Sequence, residues 1–301
     1  MKRKITAILL AAIMLVAVLS LASCGTKDPG TDAVESTAAP ATDAATDAAE
    51  TDAPEAAELD TADWDYITGE GTLKIGITLF LPMNYYEGEE LTGFDTEFAE
   101  ALCEKLGLTA SFIVIDWDTK ETELKSKAID CIWNGLTVTE ERKENMDFTD
   151  AYMNNFQSVV IKADKAAEIT SVEDLAALSI VAESGSTGEA AVQACEALKD
   201  ANYTGVAAQQ TALQEVAAGT ADVAVIDSVM AGYSIGEDTS YSDLAMLDLK
   251  LAEETEQYAI AFRKDSGKTL AMANEAIAEL RADGTLAALA EKYNVTSSII
   301  D

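Results

Sequence analysis

The stretch Asp130–Arg142, DCIWNGLTVTEER, changes from apolar to polar within a few positions. Cys131, Ile132 and Trp133 read as a short buried strand. Gly135 breaks it, and Thr137 or Thr139 suits the N-cap of a following helix. At such a junction backbone N–H groups point outward and the helix start carries partial positive charge, so a carboxylate is stabilised there. Arg142 falls on the first turns, placed to close its planar fork on the same anion. The stretch alone leaves two readings open: a carboxylate-binding corner, or an ordinary capped helix carrying a solvated arginine.

Outward from this corner, ELKSKAIDCIWNGLT (Glu123–Thr137) and EVAAGTADVAVIDSV (Glu215–Val229) share a layout. Each has an acid and an apolar residue, an Asp further on (Leu124 to Asp130, Val216 to Asp222), an apolar strand and a polar loop. Two such units point to two lobes of related build. Each would present a loop at the carboxyl end of a strand, where ligands bind in open α/β sheets. Strand and helix patterns alternate elsewhere too. TLKIGITLF, SFIVIDW, NNFQSVVIKADK, SIVAESG, TGVAAQQ, ADVAVIDS and YAIAFRK read as strands. GFDTEFAEALCEKLGL, STGEAAVQACEALKDA and the C-terminal KTLAMANEAIAELRADGTLAALAEKYN, interrupted near Gly284, read as helices. The expectation is an α/β protein with strands buried on both faces.

The N-terminus carries Lys2, Arg3 and Lys4, an apolar run, and then Leu21-Ala22-Ser23-Cys24. This is a secretory signal over residues 1–23. Its ending resembles the bacterial lipobox, which implies cleavage before Cys24 and lipid on that cysteine; an uncleaved membrane anchor is the other reading. Residues 24–63 are rich in Ala, Thr, Asp, Glu and Pro, with no aromatic side chain before Trp64. Such a segment cannot bury enough surface to offset its chain entropy, so it reads as an acidic tether.

The formal charge is −34 and there is no histidine. The absence of a basic stripe excludes nucleic acid as a partner. The absence of histidine removes the commonest general base, the commonest zinc ligand and any serine–histidine mechanism; no metal and no cofactor is expected. Beyond Cys24, the cysteines Cys103, Cys131 and Cys195 sit singly among apolar neighbours. They read as buried free thiols, with a Cys103–Cys131 bridge as the alternative. Asp227, after the second unit's strand, is either an acceptor for an ammonium group or the N-cap of the next helix. The loop ESGSTGEAA (Glu183–Ala191) is able to cradle an anion but lacks the lysine and spacing of a nucleotide loop.

LKIGITLFLPMNYYE, LTGFDTEFAEALCEKLGL, VIDWDTKETELKSKAIDCIWNGLTVTEERKENMDFTDAY and IVAESGSTGEAA together resemble the polar amino-acid substrate-binding proteins of bacterial ATP-driven (ABC) importers. The resemblance covers nearly everything after the tether. It implies a type II, two-lobed periplasmic-binding-protein-like (Venus flytrap) α/β fold with a two-strand hinge. Lobe 1 would comprise 64–160 plus 252–301, and lobe 2 would comprise 161–251. The protein would be a non-enzymatic monomer, lipid-anchored to the outer face of the cytoplasmic membrane, delivering an amino acid to permease and ATPase subunits.

In that resemblance Gly135 and Thr137 hold the ligand α-carboxylate with Arg142 as its ion pair, and Asp227 receives the α-ammonium. Phe80 and Trp117 enclose the ligand, Asn134 points into the cleft, and Ser186, Thr187 and Gly188 form the second lobe's contribution. Trp133 is expected in the core, and Tyr85 and Asp150 to Tyr152 either line the cleft or pack at its rim. Two departures bear on the ligand's side chain. Ile77-Thr78-Leu79 lacks an acid that the family often has there, and Glu183 stands where some relatives carry a cation. A neutral polar ligand is expected, with a basic one left open. An enzyme on the same scaffold, dehydratase-like, and a sensor acting in trans are the competing functions.

Overall fold

The computed structural model describes residues 59–251 and 255–300. The signal segment, Cys24 and the tether up to residue 58 lie outside the described residues. The end of the expected tether is corrected: residues 62 and 63 already belong to helix α1, Ala62–Glu70. Asp63 and Asp65 in its first turn complement the helix dipole, and Gly71 closes it in the left-handed region at φ 68°.

The first lobe contains β1 (Thr72–Ile77), the hairpin β2 (Tyr85–Glu87) and β3 (Glu90–Thr92), α2 (Phe94–Leu106), β4 (Thr109–Val114), α3 (Lys120–Lys125), β5 (Cys131–Ile132), α4 (Glu140–Asn145) and β6 (Met146–Phe148). Next comes β7 (Met153–Asn155). The second lobe holds β8 (Gln157–Lys162), β9 (Ser179–Glu183), α5 (Thr187–Ala194), β10 (Asn202–Val206), α6 (Gln209–Ala218), β11 (Val223–Asp227), α7 (Ser228–Ser234) and β12 (Leu244–Leu247). The chain returns through β13 (Glu256–Tyr258) to β14 (Ala261–Arg263), α8 (Gly267–Ala282) and α9 (Thr285–Lys292).

The two five-stranded sheets run β4-β1-β5-β14-β6 and β10-β9-β11-β8-β12. In the first, β1 pairs parallel with β4 and β5; in the second, β9 pairs parallel with β10 and β11. The returning strands β14 and β8 pair antiparallel with β5 and β11. The lobes thus repeat one layout, with β5 and β11 in corresponding central places. β7 and β13 pair antiparallel as the connection between them, Met153 opposite Tyr258.

NNFQSVVIKADK, read as one strand, is two: β7 in the connection and β8 in the second sheet, separated by the exposed Phe156. The second sheet therefore begins at Gln157, earlier than the 160/161 boundary expected from sequence. YAIAFRK divides in the same way, between β13 and β14.

The first lobe's core stacks aromatics. Phe98 meets the indole of Trp133 edge-on at 4.9 Å and the ring of Tyr152 at 5.5 Å, and Trp133 and Tyr152 are fully buried. Trp133 therefore belongs to the core, as does Tyr152, which was expected to line the cleft or pack at its rim. Cys103 and Cys131 are both buried free thiols, so no bridge joins them; Cys195 is half-buried and also free.

Candidate functional site

The corner after β5 is built by backbone geometry and one buried acid. Gly135 takes φ 56°, and a Cβ there would meet Phe80 Cε1 at 2.7 Å and Tyr258 Cε2 at 3.1 Å. Only glycine fits. Its N–H is donated to Asp95 Oδ2 at 2.7 Å, an oxygen that also accepts from the Tyr152 hydroxyl at 2.9 Å. Gly135 thus shapes the corner through its missing side chain rather than through a free amide. Burial pushes the Asp95 carboxyl up to about 7 against the pull of these donors.

Asn134 is buried and tied to Thr78. Its Oδ1 accepts from Thr78 N–H at 3.1 Å and Thr78 Oγ1 at 2.6 Å, and its Nδ2 donates to Thr78 O at 3.0 Å. It fixes the loop after β1 to the corner.

Thr139, not Thr137, is the N-cap of α4: its hydroxyl accepts from Arg142 N–H at 3.1 Å. The cap turns Arg142 inward. Its side chain is buried, donating from Nη1 to Thr137 O at 2.7 Å and from Nη2 across the lobes to Gly185 O at 3.2 Å. This corrects the reading of a solvated arginine. Lys120, also buried, donates to Trp117 O and Gly185 O, each at 3.0 Å, and lies over the Trp117 ring at 4.8 Å. Burial, and then Arg142, hold its ammonium down at about 8.

In the second lobe, Asp227 occupies the N-cap position of α7 but makes no cap bond with its side chain. Its carboxylate accepts from Asn155 Nδ2 at 2.7 Å, from Gln209 Nε2 at 2.6 Å and from Gln157 Nε2. A carboxylate supplied with three amide donors is held in place as an acid, although burial and the neighbouring Glu256 push it up to about 6. Glu256 Oε2 accepts from the Thr137 hydroxyl of the first lobe at 3.0 Å and the Thr187 hydroxyl of the second at 3.2 Å. Ser186 caps α5, accepting from Glu189 N–H at 3.1 Å. Gly188 lies behind the site: a Cβ there would meet Val225 O at 2.8 Å and Gln157 Oε1 at 2.9 Å.

The structure brings Phe80, Trp117, Asn134, Gly135, Thr137, Arg142, Ser186, Thr187 and Asp227 around one space between the lobes, and Gly188 alone of the expected set does not line it. Thr78, Glu183 and Gln209 complete the lining. In this arrangement the lining's own side chains nearly fill the space, leaving a cavity of about 10 Å³, room for about one water. Sequence reading missed Lys120, Asn155, Gln157, Gln209 and Glu256. The polar Asn155 and Gln157 near the apolar Val159–Ile161 were the one visible signal, because a buried strand seldom carries amides without partners for them.

Two sheets of matching order, joined by a paired-strand connection with their loops converging on one cleft, define a type II periplasmic-binding-protein architecture. The chain belongs to the bacterial extracellular solute-binding proteins, family 3, whose sequence profile matches residues 73–296. It is 33% identical over 230 residues to the probable amino-acid-binding protein YxeM of Bacillus subtilis (strain 168), covering 74% of this chain and 84% of that one. A substrate-binding protein of an ABC uptake transporter from Streptococcus pneumoniae, solved with bound histidine, superposes with a TM-score of 0.70 at 31% identity, covering 78% of this chain and 97% of that one. The ancestral amino-acid-binding protein AncCDT-1, a precursor of cyclohexadienyl dehydratase, superposes at 0.69 with 32% identity over 76% and 98% of the two chains.

Proposed function

We propose that the protein captures the zwitterion of a free amino acid between its lobes and delivers it to the permease and ATPase subunits of an ABC importer, held at the outer face of the cytoplasmic membrane by lipid on Cys24. The observation that carries this reading is the opposition of Arg142 on the first lobe and Asp227 on the second across one space between the lobes. A zwitterion leaving water needs both charges met, or several kcal/mol of desolvation per ion go uncompensated. With the charges supplied from opposite lobes, the ligand binds the closed arrangement better than the open one, and closure follows from that difference. The amino-acid cargo of YxeM and of the pneumococcal protein supports the ligand class. Attachment is assigned to Cys24 because the basic and apolar N-terminal run ends in Leu21-Ala22-Ser23-Cys24.

The test is calorimetric titration of the protein with the proteinogenic amino acids. One or more should bind at micromolar concentration or tighter, about −8 kcal/mol. Arg142→Ala and Asp227→Ala should each remove several kcal/mol of that affinity by stranding a buried ligand charge. Unchanged affinity in either variant would displace the site, and recovery of a chemically altered ligand would favour the enzyme reading.

A further inference from the structure

Glu183, at the end of β9, is 4% exposed, and its Oε1 has no hydrogen-bond partner. Native interiors pair their buried polar groups, and an unpaired carboxylate oxygen is far costlier than an unpaired amide. Among the described residues no cation bonds it directly. Lys120 acts on it through the field, its Nζ being donated to the Trp117 and Gly185 carbonyls. Gln209, which borders the same space, donates to Asp227 and also lies in hydrogen-bonding reach of the Glu183 carboxyl, whose Oε1 stays without a partner.

The charge balance of the cleft points the same way. Around the cleft Arg142 and Lys120 stand near Asp227, Glu256 and Glu183, so acids outnumber cations, and Glu183, pushed up to about 8 by burial, holds a proton there that a ligand cation would displace. A zwitterionic α-amino acid is neutral at its backbone end and leaves that excess unmet. A ligand with one further positive charge meets it.

We propose that Glu183 is the acceptor for the ligand's side chain and that the cargo is an amino acid with a cationic distal group. This deepens the reading of the cleft as an amino-acid site and rests on it. Phe80 and Trp117, buried along the same space, flank the methylene stem of such a ligand. Ile77-Thr78-Leu79 lacks the acid the family often has there, and Thr78 is engaged with Asn134, so Glu183 is the acid that remains for this task. The expectation of a neutral polar cargo is revised accordingly.

The experiment compares L-arginine, L-lysine and L-ornithine with their neutral counterparts L-citrulline and L-glutamine by calorimetric titration. At least one cationic ligand should bind about a hundredfold or more tighter than either neutral one, since a site built around a buried charge rejects analogues lacking its partner. Glu183→Gln should bring the cationic-to-neutral affinity ratio to within about tenfold, its fold checked by thermal unfolding. A neutral amino acid binding as tightly as every cationic one would overturn the inference while leaving the amino-acid reading intact. So would a cationic preference that survives in Glu183→Gln. No binding by any amino acid would remove both.

Discussion

Asp95 shows how one side chain ties the core to the cleft. It is fully buried on α2, one oxygen holding both the Gly135 N–H and the Tyr152 hydroxyl, the other without a partner. Its carboxyl titrates near 7 in the fold against 3.8 as its ordinary value. Between those limits the native state keeps a proton that the unfolded chain has released. Because the native state then binds more protons, stability falls as pH rises through the window, by at most about 1.4 kcal/mol per pH unit for one group. Asp227 and Glu183, raised to about 6 and about 8, act in the same direction. Asp95→Asn mimics the protonated form. Its melting temperature should therefore decline less between pH 4 and 7 than that of the parent, as scanning calorimetry at several pH values would read; a parallel decline would rule out Asp95 as a titrating group. Asp95 was quoted in the sequence only as part of a family pattern. Its role was illegible because nothing local predicts that an acid on one helix will meet a glycine amide forty residues on.

At the scale of elements, the repeated layout seen in sequence has a physical basis. Asp130 accepts from Lys74 N–H at 3.0 Å where β5 starts beside β1, and Asp222 accepts from Ser179 N–H at 2.9 Å where β11 starts beside β9. Each Asp ties the start of a central strand to its parallel neighbour, which sets where the strand ends and hence where its loop meets the ligand. The two strands and their loops were legible because apolar length and a terminating polar cluster are local signals. The division of NNFQSVVIKADK and YAIAFRK was not. Both halves of each stretch favour extended backbone, and only tertiary pairing assigns them to different sheets. The short helix α4 depends on its cap. Thr139→Ala should cost about 1 kcal/mol of stability in denaturant unfolding. It should also weaken ligand binding, because the cap orients the turn from which Arg142 reaches inward. Thr137→Val would serve as the contrast: it leaves the cap whole and removes only the hydroxyl on Glu256.

For the whole molecule, closure is held at two places. Inside the cleft, Arg142 and Lys120 share the carbonyl of Gly185, and Glu256 draws hydroxyls from both lobes. At the rim, Tyr85 of β2 meets Tyr233 of α7 with ring centroids 6.5 Å apart and planes tilted by 45°. The two-lobed plan was readable from the repeated unit and the family likeness. The contacts that close it were not, since they join loops far apart in sequence whose pairing is set by the paired-strand connection. The rim contact permits a test that leaves the ligand's own partners untouched. Tyr233 is partly exposed and does not line the site, so Tyr233→Ala leaves Arg142, Asp227 and Glu183 in place. An aromatic pair contributes about 0.5–1.5 kcal/mol beyond its area. If that contact favours the closed arrangement, its loss lowers the closed fraction and weakens the apparent affinity by the same free energy, about two- to tenfold. The loss should fall mainly on the dissociation rate, which stopped-flow measurement separates from association. Equal dissociation rates in variant and parent would show that the cleft contacts alone hold the lobes together.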